Sequence, residues 1–178
     1  MIKLNFTYSP LKTTFLVNNS FKNIGTIDLI LRKGLPNTSQ LDKCGIYAIA
    51  IPHHYSVKFF DPPQASTNGN VIKPWTIEKL KQKWVDTAEI VYYGLAGRNA
   101  PRPLRERLYD LIDHGNGNIT DRGPHYGGEI IWQLNGYETF DVWILETGYP
   151  PEPRKYESEL LQDFFRVVGK LPFANRRF

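Results

Sequence analysis

Cys44-Gly45-Ile46-Tyr47-Ala48-Ile49-Ala50-Ile51 is a compact run of apolar and aromatic residues without a charge. Eight residues suit a strand better than a helix, so the run predicts a buried strand. Upstream, Lys33 to Asp42 gathers Gly34, Pro36, Asn37 and Ser39 and predicts a loop. Downstream, His53 to Asn70 carries Asp61-Pro62-Pro63 and Asn68-Gly69-Asn70. It predicts a long loop, and long structured loops are often functional. Trp75 to Asp86 predicts a short helix capped by Thr76, with Ile77, Leu80 and Trp84 on one face. Glu89 to Leu95 predicts the next strand.

Further outward, Leu4 to Tyr8 and Thr26 to Leu31 are strand-like. Pro103 suits the first turn of a helix, and Leu104, Leu108, Leu111 and Ile112 then recur at helical spacing as far as Gly115. Asn116 to Gly128 is a Gly/Asn-rich loop holding His125. Glu129 to Leu134 and Phe140 to Glu146 are strand-like, with the strong turn signal Asn135-Gly136 between them. A helix from about Arg154 to Val168 follows Pro150–Pro153 and stops at Gly169 and Pro172. Hairpins mixed with packed helices predict an α+β fold.

The chain has 178 residues, a length for one domain, and 41% hydrophobic with 22% charged residues excludes wholesale disorder. No apolar run approaches the roughly 20 residues of a membrane span. Met1 to Pro10 lacks the apolar core of a signal peptide. The single cysteine, Cys44, excludes a disulfide framework and a multi-cysteine zinc site, so a reduced, cytoplasmic compartment is expected.

The net charge of +4 is only mildly basic, but its distribution is uneven. Arg98, Arg102, Arg105 and Arg107 cluster with one acid, Glu106, and the last nine residues hold Lys170, Arg176 and Arg177 with none. Glu138 to Asp163 carries seven acids against two bases. Two readings follow. The basic segments are solvated stretches, or the fold brings them together as a phosphate-binding surface, for which arginine's planar fork is well suited.

Glu157 raises a sharper question. At about 100° per residue, the mean direction of Leu160, Leu161, Phe164, Phe165, Val167 and Val168 falls within a few degrees of Glu157, and Glu159 lies roughly 200° away. Glu157 therefore aims at the protein body. A carboxylate there needs a metal, an arginine or hydrogen-bond donors, or else sits in the first helical turn with its head in water.

Cys44-Gly45-Ile46-Tyr47 followed by Val91-Tyr92-Tyr93-Gly94 resembles the two strands that name the GIY-YIG nuclease family. The family's later marks come in order: Leu104-Arg105-Glu106-Arg107-Leu108 on a helix, Glu157-Ser158-Glu159-Leu160-Leu161 opening another, and Pro172-Phe173-Ala174-Asn175 near the end. The resemblance covers residues 43–177. It departs from the family in three ways. Forty-four residues separate Tyr47 from Tyr92, so residues 52–88 form an insertion, and residues 1–42 form an N-terminal extension. Leu95 stands where a lysine often follows the second motif. The His or Tyr often found four residues after the catalytic arginine is Leu111 counted from Arg107, but Tyr109 counted from Arg105. Arg107, followed by the apolar Leu108, is preferred, with Arg105 open.

The resemblance implies a single GIY-YIG-like domain, residues 1–178, with a small antiparallel sheet flanked by helices and metal-assisted hydrolysis of a phosphodiester. Glu157 would hold one Mg²⁺ or Mn²⁺, a hard cation that keeps several waters. Tyr47 would take a proton from the attacking water, for which its phenol needs nearby positive charge. Tyr92 would hold that water or a phosphate oxygen, and Arg107 would clamp the non-bridging oxygens. Asn175 would orient the chain end or a phosphate. Arg98, Arg105, His125 and Arg176 are candidates for nucleic-acid contact.

The expected substrate is DNA, double-stranded, with a restriction-type or repair role. In the insertion, Lys58, Lys73, Lys79, Lys81 and Lys83 lie among Phe59, Phe60, Trp75 and Trp84, which are core residues or contacts to phosphates and bases. One site per chain makes a homodimer the expected form for cutting both strands. The alternative is a binding module that uses a nuclease fold without cutting.

Overall fold

The computed structural model describes residues 4–60, 74–115 and 125–178. Four strands, β1 (Lys22–Thr26), β2 (Gly45–Ala50), β3 (Ile90–Ala96) and β4 (Asp141–Glu146), form one antiparallel sheet in the order β1-β4-β2-β3. Among the described residues six α-helices pack around it: α1 (Thr13–Asn18), α2 (Ile27–Lys33), α3 (Ile77–Lys83), α4 (Leu104–Gly115), α5 (Tyr126–Ile131) and α6 (Glu152–Val168). The fold class is α+β, with a small antiparallel sheet.

β2 is central, paired to β3 on one side and β4 on the other. Every residue of β2 is buried, because helices cover both faces of the sheet. Tyr47 and Ile49 join Val142, Ile144, Leu104, Leu108 and Ile130 in one core. Ile46, Ala48 and Ala50 join Tyr93, Phe15, Leu160, Leu161 and Phe164 in the other. A strand buried on both faces has no polar side to show, which explains the continuous apolar run. Each Leu or Phe that α6 buries there contributes about 1.5–3 kcal/mol.

The segment expected to be an N-terminal extension contributes a strand to the sheet, since β1 pairs with β4. The described part of the insertion also joins the core: Tyr55, Phe59, Trp75 and Trp84 pack on it, and Leu80 is fully buried. The Asp61-Pro62-Pro63 and Asn68-Gly69-Asn70 turns, and Asn116 to Pro124 of the glycine-rich loop, lie outside the described residues. The helix expected in the insertion is α3, with the Thr76 hydroxyl accepting the Lys79 N–H as cap. α4 and α6 follow the periodicity, and α6 ends at Gly169.

Three segments differ from the expected strands. Leu4 to Tyr8 is no strand: the buried Asn19 amide takes the Asn5 N–H and donates to the Asn5 carbonyl, replacing a ladder. At Thr26 to Leu31 the strand ends at Thr26, whose hydroxyl caps α2 by accepting the Leu29 N–H at 3.2 Å. Ile27 and Ile30, three apart, are the buried face of that helix. Glu129 to Leu134 begins in α5 and ends in turns, with Ile130, Ile131, Trp132, Gln133 and Leu134 all buried. A short run buried on every side has no period by which helix and strand can be told apart. Asn135-Gly136 is a turn with Gly136 at φ 82°, but it leads through a 3₁₀ turn (Tyr137–Thr139) to β4 and joins no hairpin.

Among the described residues no helix is long and apolar enough to cross a membrane. Cys44 is buried with a free thiol.

Candidate active site

β3 is the edge strand of the sheet, and the C-terminal segment lies against it. The Ala174 N–H bonds to the Val91 carbonyl at 2.8 Å. The Asn175 amide then spans Tyr93, accepting its N–H at 3.0 Å and donating to its carbonyl at 2.7 Å. Asn175 thus acts as a one-residue surrogate strand, satisfying backbone groups that an edge would leave open. Its carbonyl oxygen and one of its two N–H donors are engaged, so it orients this segment against β3.

A cavity of about 560 Å³ opens at this edge. Its wall brings together Tyr92, Arg98, Arg107, Glu157, Asn175 and Arg176 from the sequence-based candidates, with Arg102 and Arg177 besides. The basic segments 98–107 and 170–177 therefore meet at one place. Arg102 and Arg177 were visible in sequence only as members of those segments.

Tyr47 faces Gly94 across the β2–β3 ladder, and Tyr92 lies two residues along β3 on the same face. Such diagonal neighbours are within reach of aromatic side chains. The rings are 5.8 Å apart at 57°. Gly94 makes this possible: a Cβ there would lie 2.3 Å from Tyr47 Cζ and 2.4 Å from its Oη. Gly127 does the same for Tyr92, whose ring atom Cε2 would be 2.4 Å from an added Cβ.

Tyr47 is fully buried and does not line the cavity, whereas Tyr92 does. Tyr47 Oη lies 2.6 Å from His125 Nε2. His125 caps α5, its Nδ1 accepting the Gly128 N–H at 3.0 Å, which leaves the ring hydrogen on Nε2. His125 therefore donates to Tyr47. Its own backbone N–H donates to His114 Nδ1 at 2.7 Å. Burial holds the His125 pKa well below the ordinary histidine range, and Arg107 and His114 push the same way. Burial also lowers His114. Sequence reasoning missed His114, an apparently ordinary residue at the end of α4.

Burial raises the pKa of Tyr47, with Arg107 and the Tyr92 hydroxyl opposing, and raises Tyr92 further, with Tyr47 adding to the effect. In both, burial favours the neutral phenol. Tyr47, expected to take a proton from the attacking water, stands off the cavity wall. Its oxygen is enclosed behind Tyr92 and receives the His125 hydrogen bond, and burial favours its protonated form. His125, expected to touch nucleic acid, is likewise enclosed at 1% exposure.

α4 separates the two arginines that helical angles left equivalent. Arg105 points away from the cavity, with its Nε 2.8 Å from Asp42. Its expected nucleic-acid contact is not at this site, and Tyr109 beside it is exposed. Arg107 lines the cavity with Nη1 3.2 Å from Asp110, which also binds Arg102 Nη2 at 2.5 Å. Its charge acts on Tyr47, Tyr92, His125 and Glu157 alike, so it stands at the electrostatic centre of the group.

Glu157 projects from α6 into the same cavity and is half-buried. Glu159 is also half-buried, which differs from the solvated position expected, but it is not part of the wall. Burial pushes the Glu157 carboxyl up to about 7, although Arg98, Arg107, Arg154 and Arg177 all pull it down. Its charge in turn raises both tyrosines. No group of three or more His, Cys, Asp or Glu capable of holding a metal occurs among the described residues. A cation at this site would rest on the single carboxylate Glu157. No family model, curated protein or solved structure matches the chain.

Proposed function

We propose that the chain is a metal-dependent endonuclease that hydrolyses DNA phosphodiester bonds, on a fold of the GIY-YIG kind. The observation that carries this reading is the cavity itself. One desolvated carboxylate, five arginines and a tyrosine hydroxyl share its wall. A wall so rich in arginine suits a phosphate anion.

The donor set fits Mg²⁺ or Mn²⁺. Glu157 is a hard oxygen donor held near the midpoint of its titration by burial, and a cavity of about 560 Å³ leaves room for a cation that retains water ligands. When bound, the ion would supply Lewis acidity that polarises the phosphate and acidifies a water. Glu157 would hold it. Arg107 would bind the non-bridging oxygens as negative charge builds in the transition state. Asp110 keeps Arg107 oriented, and Arg98 and Arg177 draw the polyanion in. Tyr92, as a neutral phenol, would hold a phosphate oxygen or the attacking water by hydrogen bond. Tyr47 and His125 fix the Tyr92 ring from behind.

The test uses supercoiled plasmid and single-stranded DNA, with Mg²⁺, with Mn²⁺ and with EDTA. Nicking is expected with either metal and none with EDTA, and a homodimer acting on both strands would give linear product. Glu157→Gln is expected to lower the rate by about 10²–10³-fold, the scale of losing a preorganised electrostatic group. DNA retained without nicking would replace this reading with the binding module. Neither retention nor nicking on any of these substrates would reject both.

A further inference from the structure

Beyond the cavity, α3 and the C-terminal segment build a second cationic group around one tryptophan. Lys79 Nζ lies 5.5 Å from the centroid of the Trp75 ring, Lys83 Nζ 5.4 Å and Arg176 Cζ 5.2 Å. The backbone of Trp75 is anchored. Gln133, fully buried, accepts its N–H at 3.0 Å and donates to its carbonyl at 2.9 Å. Lys83 is tied to the Asn175 carbonyl, and Arg176 is paired with Glu129. Asn175 and Arg176 also line the cavity, so the two groups are continuous.

A ring face attracts cations, and three of them around one ring repel each other. Burial and the neighbouring Arg176 bring Lys83 down to about 8. An anion among these cations would remove the repulsion. A base stacked on Trp75 would instead have to displace them, so the chemistry favours a phosphate over a nucleobase. Glu129 is paired with Arg176, while Lys79 is exposed and Lys83, with one of its three donors on the Asn175 carbonyl, carries two more.

We infer that Trp75, Lys79, Lys83 and Arg176 form a second phosphate subsite, which grips the DNA backbone at a phosphate other than the one being cut. This rests on the nuclease reading. The subsite belongs to the 52–88 insertion and the chain end, so it adds to substrate grip and not to the chemistry.

The test measures binding of an end-labelled duplex of about 20 bp in EDTA, where no cleavage occurs, between about 50 and 200 mM salt. Each lost phosphate contact flattens the plot of log K against log salt by about 0.9. The Lys79→Ala/Lys83→Ala double variant is expected to flatten it by about 1.8, with weaker binding throughout. Lys79→Ala alone, at an exposed position, is expected to flatten it by about 0.9 and stands in for the double variant should that one melt early. Lys22→Ala, on the opposite edge strand β1, is expected to leave the slope unchanged. Wild-type slope and affinity in the lysine variants, with the wild type binding and cutting, would overturn the subsite alone. A wild type that neither binds nor cuts DNA would overturn the nuclease reading, and the subsite with it.

Discussion

Glu89 and Glu157 are carboxylates withdrawn from solvent near the same edge strand, β3, and their surroundings differ in kind. Glu89 accepts the Thr13 N–H at 2.9 Å, the Thr13 hydroxyl at 2.8 Å, His53 Nδ1 at 3.0 Å and Lys12 Nζ at 3.2 Å. Burial alone would raise its pKa, but these donors outweigh burial and hold it down at about 2. Glu157 has arginines within electrostatic range, yet burial prevails and leaves it at about 7. The difference teaches that burial of a carboxylate does not by itself mark a site. Glu89 spends its lone pairs inside the fold, tying α1 to the start of β3. Glu157 keeps its own directed at a cavity.

The largest expected effect separates the two glutamates by activity. Glu157→Gln is nearly isosteric and should cut DNA cleavage by about 10²–10³-fold, while Glu89→Gln should leave the turnover of folded protein unchanged. Equal losses in both variants, measured as kcat on plasmid at a temperature where both are folded, would erase the distinction.

Stability should divide them the other way. The Glu89 pKa is depressed on folding, so its contribution is complete above the unfolded value near 4.5 and is lost as pH falls toward about 2. The shift corresponds to about 3 kcal/mol. Urea unfolding should show Glu89→Gln weaker than wild type by roughly that amount at pH 7, with the gap cut by about half at pH 3. A gap of the same size at both pH values would assign the loss to packing instead of charge.

The sign reverses at Glu157. Its pKa is raised on folding, so the ionised unfolded state gains over the folded one as pH rises from about 4.5 to about 7. Glu157→Gln should therefore be more stable than wild type at pH 8, by about 1–2 kcal/mol once solvent in the cavity is allowed for, and equal to it at pH 4. Mg²⁺ should raise the melting temperature of the wild type and leave that of the variant unmoved, since a ligand that binds only the folded state stabilises it. A variant that gains as much at pH 4 as at pH 8 would remove charge as the cause.

How much of this was legible in the sequence follows from what each signal measures. The buried β2 run, the periodicity of α4 and α6, and the Thr76 cap are local patterns, and each is present where expected. The angle of Glu157 on its own helix was also a local quantity, and the cavity lies on that side. The roles of Leu4–Tyr8 and Glu129–Leu134 were set by distant partners, Asn19 for the first and cores covering every side for the second. Thr26–Leu31 turned instead on a local cap at Thr26 that the strand reading passed over. The Glu89 network joins residues 12, 13, 53 and 89, and no spacing rule connects them. Tyr47 behind Tyr92, with His125 behind both, is a matter of depth, which a strand's alternation does not encode.

The smallest expected effect concerns the two arginines of α4. Helical angles place Arg105 and Arg107 symmetrically about the apolar stripe, and the partners of each side chain break that symmetry. Asp42 engages Arg105 at the surface in a pair of 26% and 59% side-chain exposure. A pair so open to water contributes about 0–1 kcal/mol, because solvent screens it and ordering both side chains costs entropy. Arg107 instead faces Tyr47, Tyr92 and Glu157. Arg105→Ala should thus lower stability by less than about 1 kcal/mol and leave kcat and KM for DNA within two-fold, while Arg107→Ala loses cleavage. The salt dependence of binding gives the finer readout, since a phosphate contact at Arg105 would flatten its slope by about 0.9 on removal. A flattened slope for Arg105→Ala would mean that DNA takes Arg105 from Asp42 and runs along the outer face of α4 as well as across the cavity.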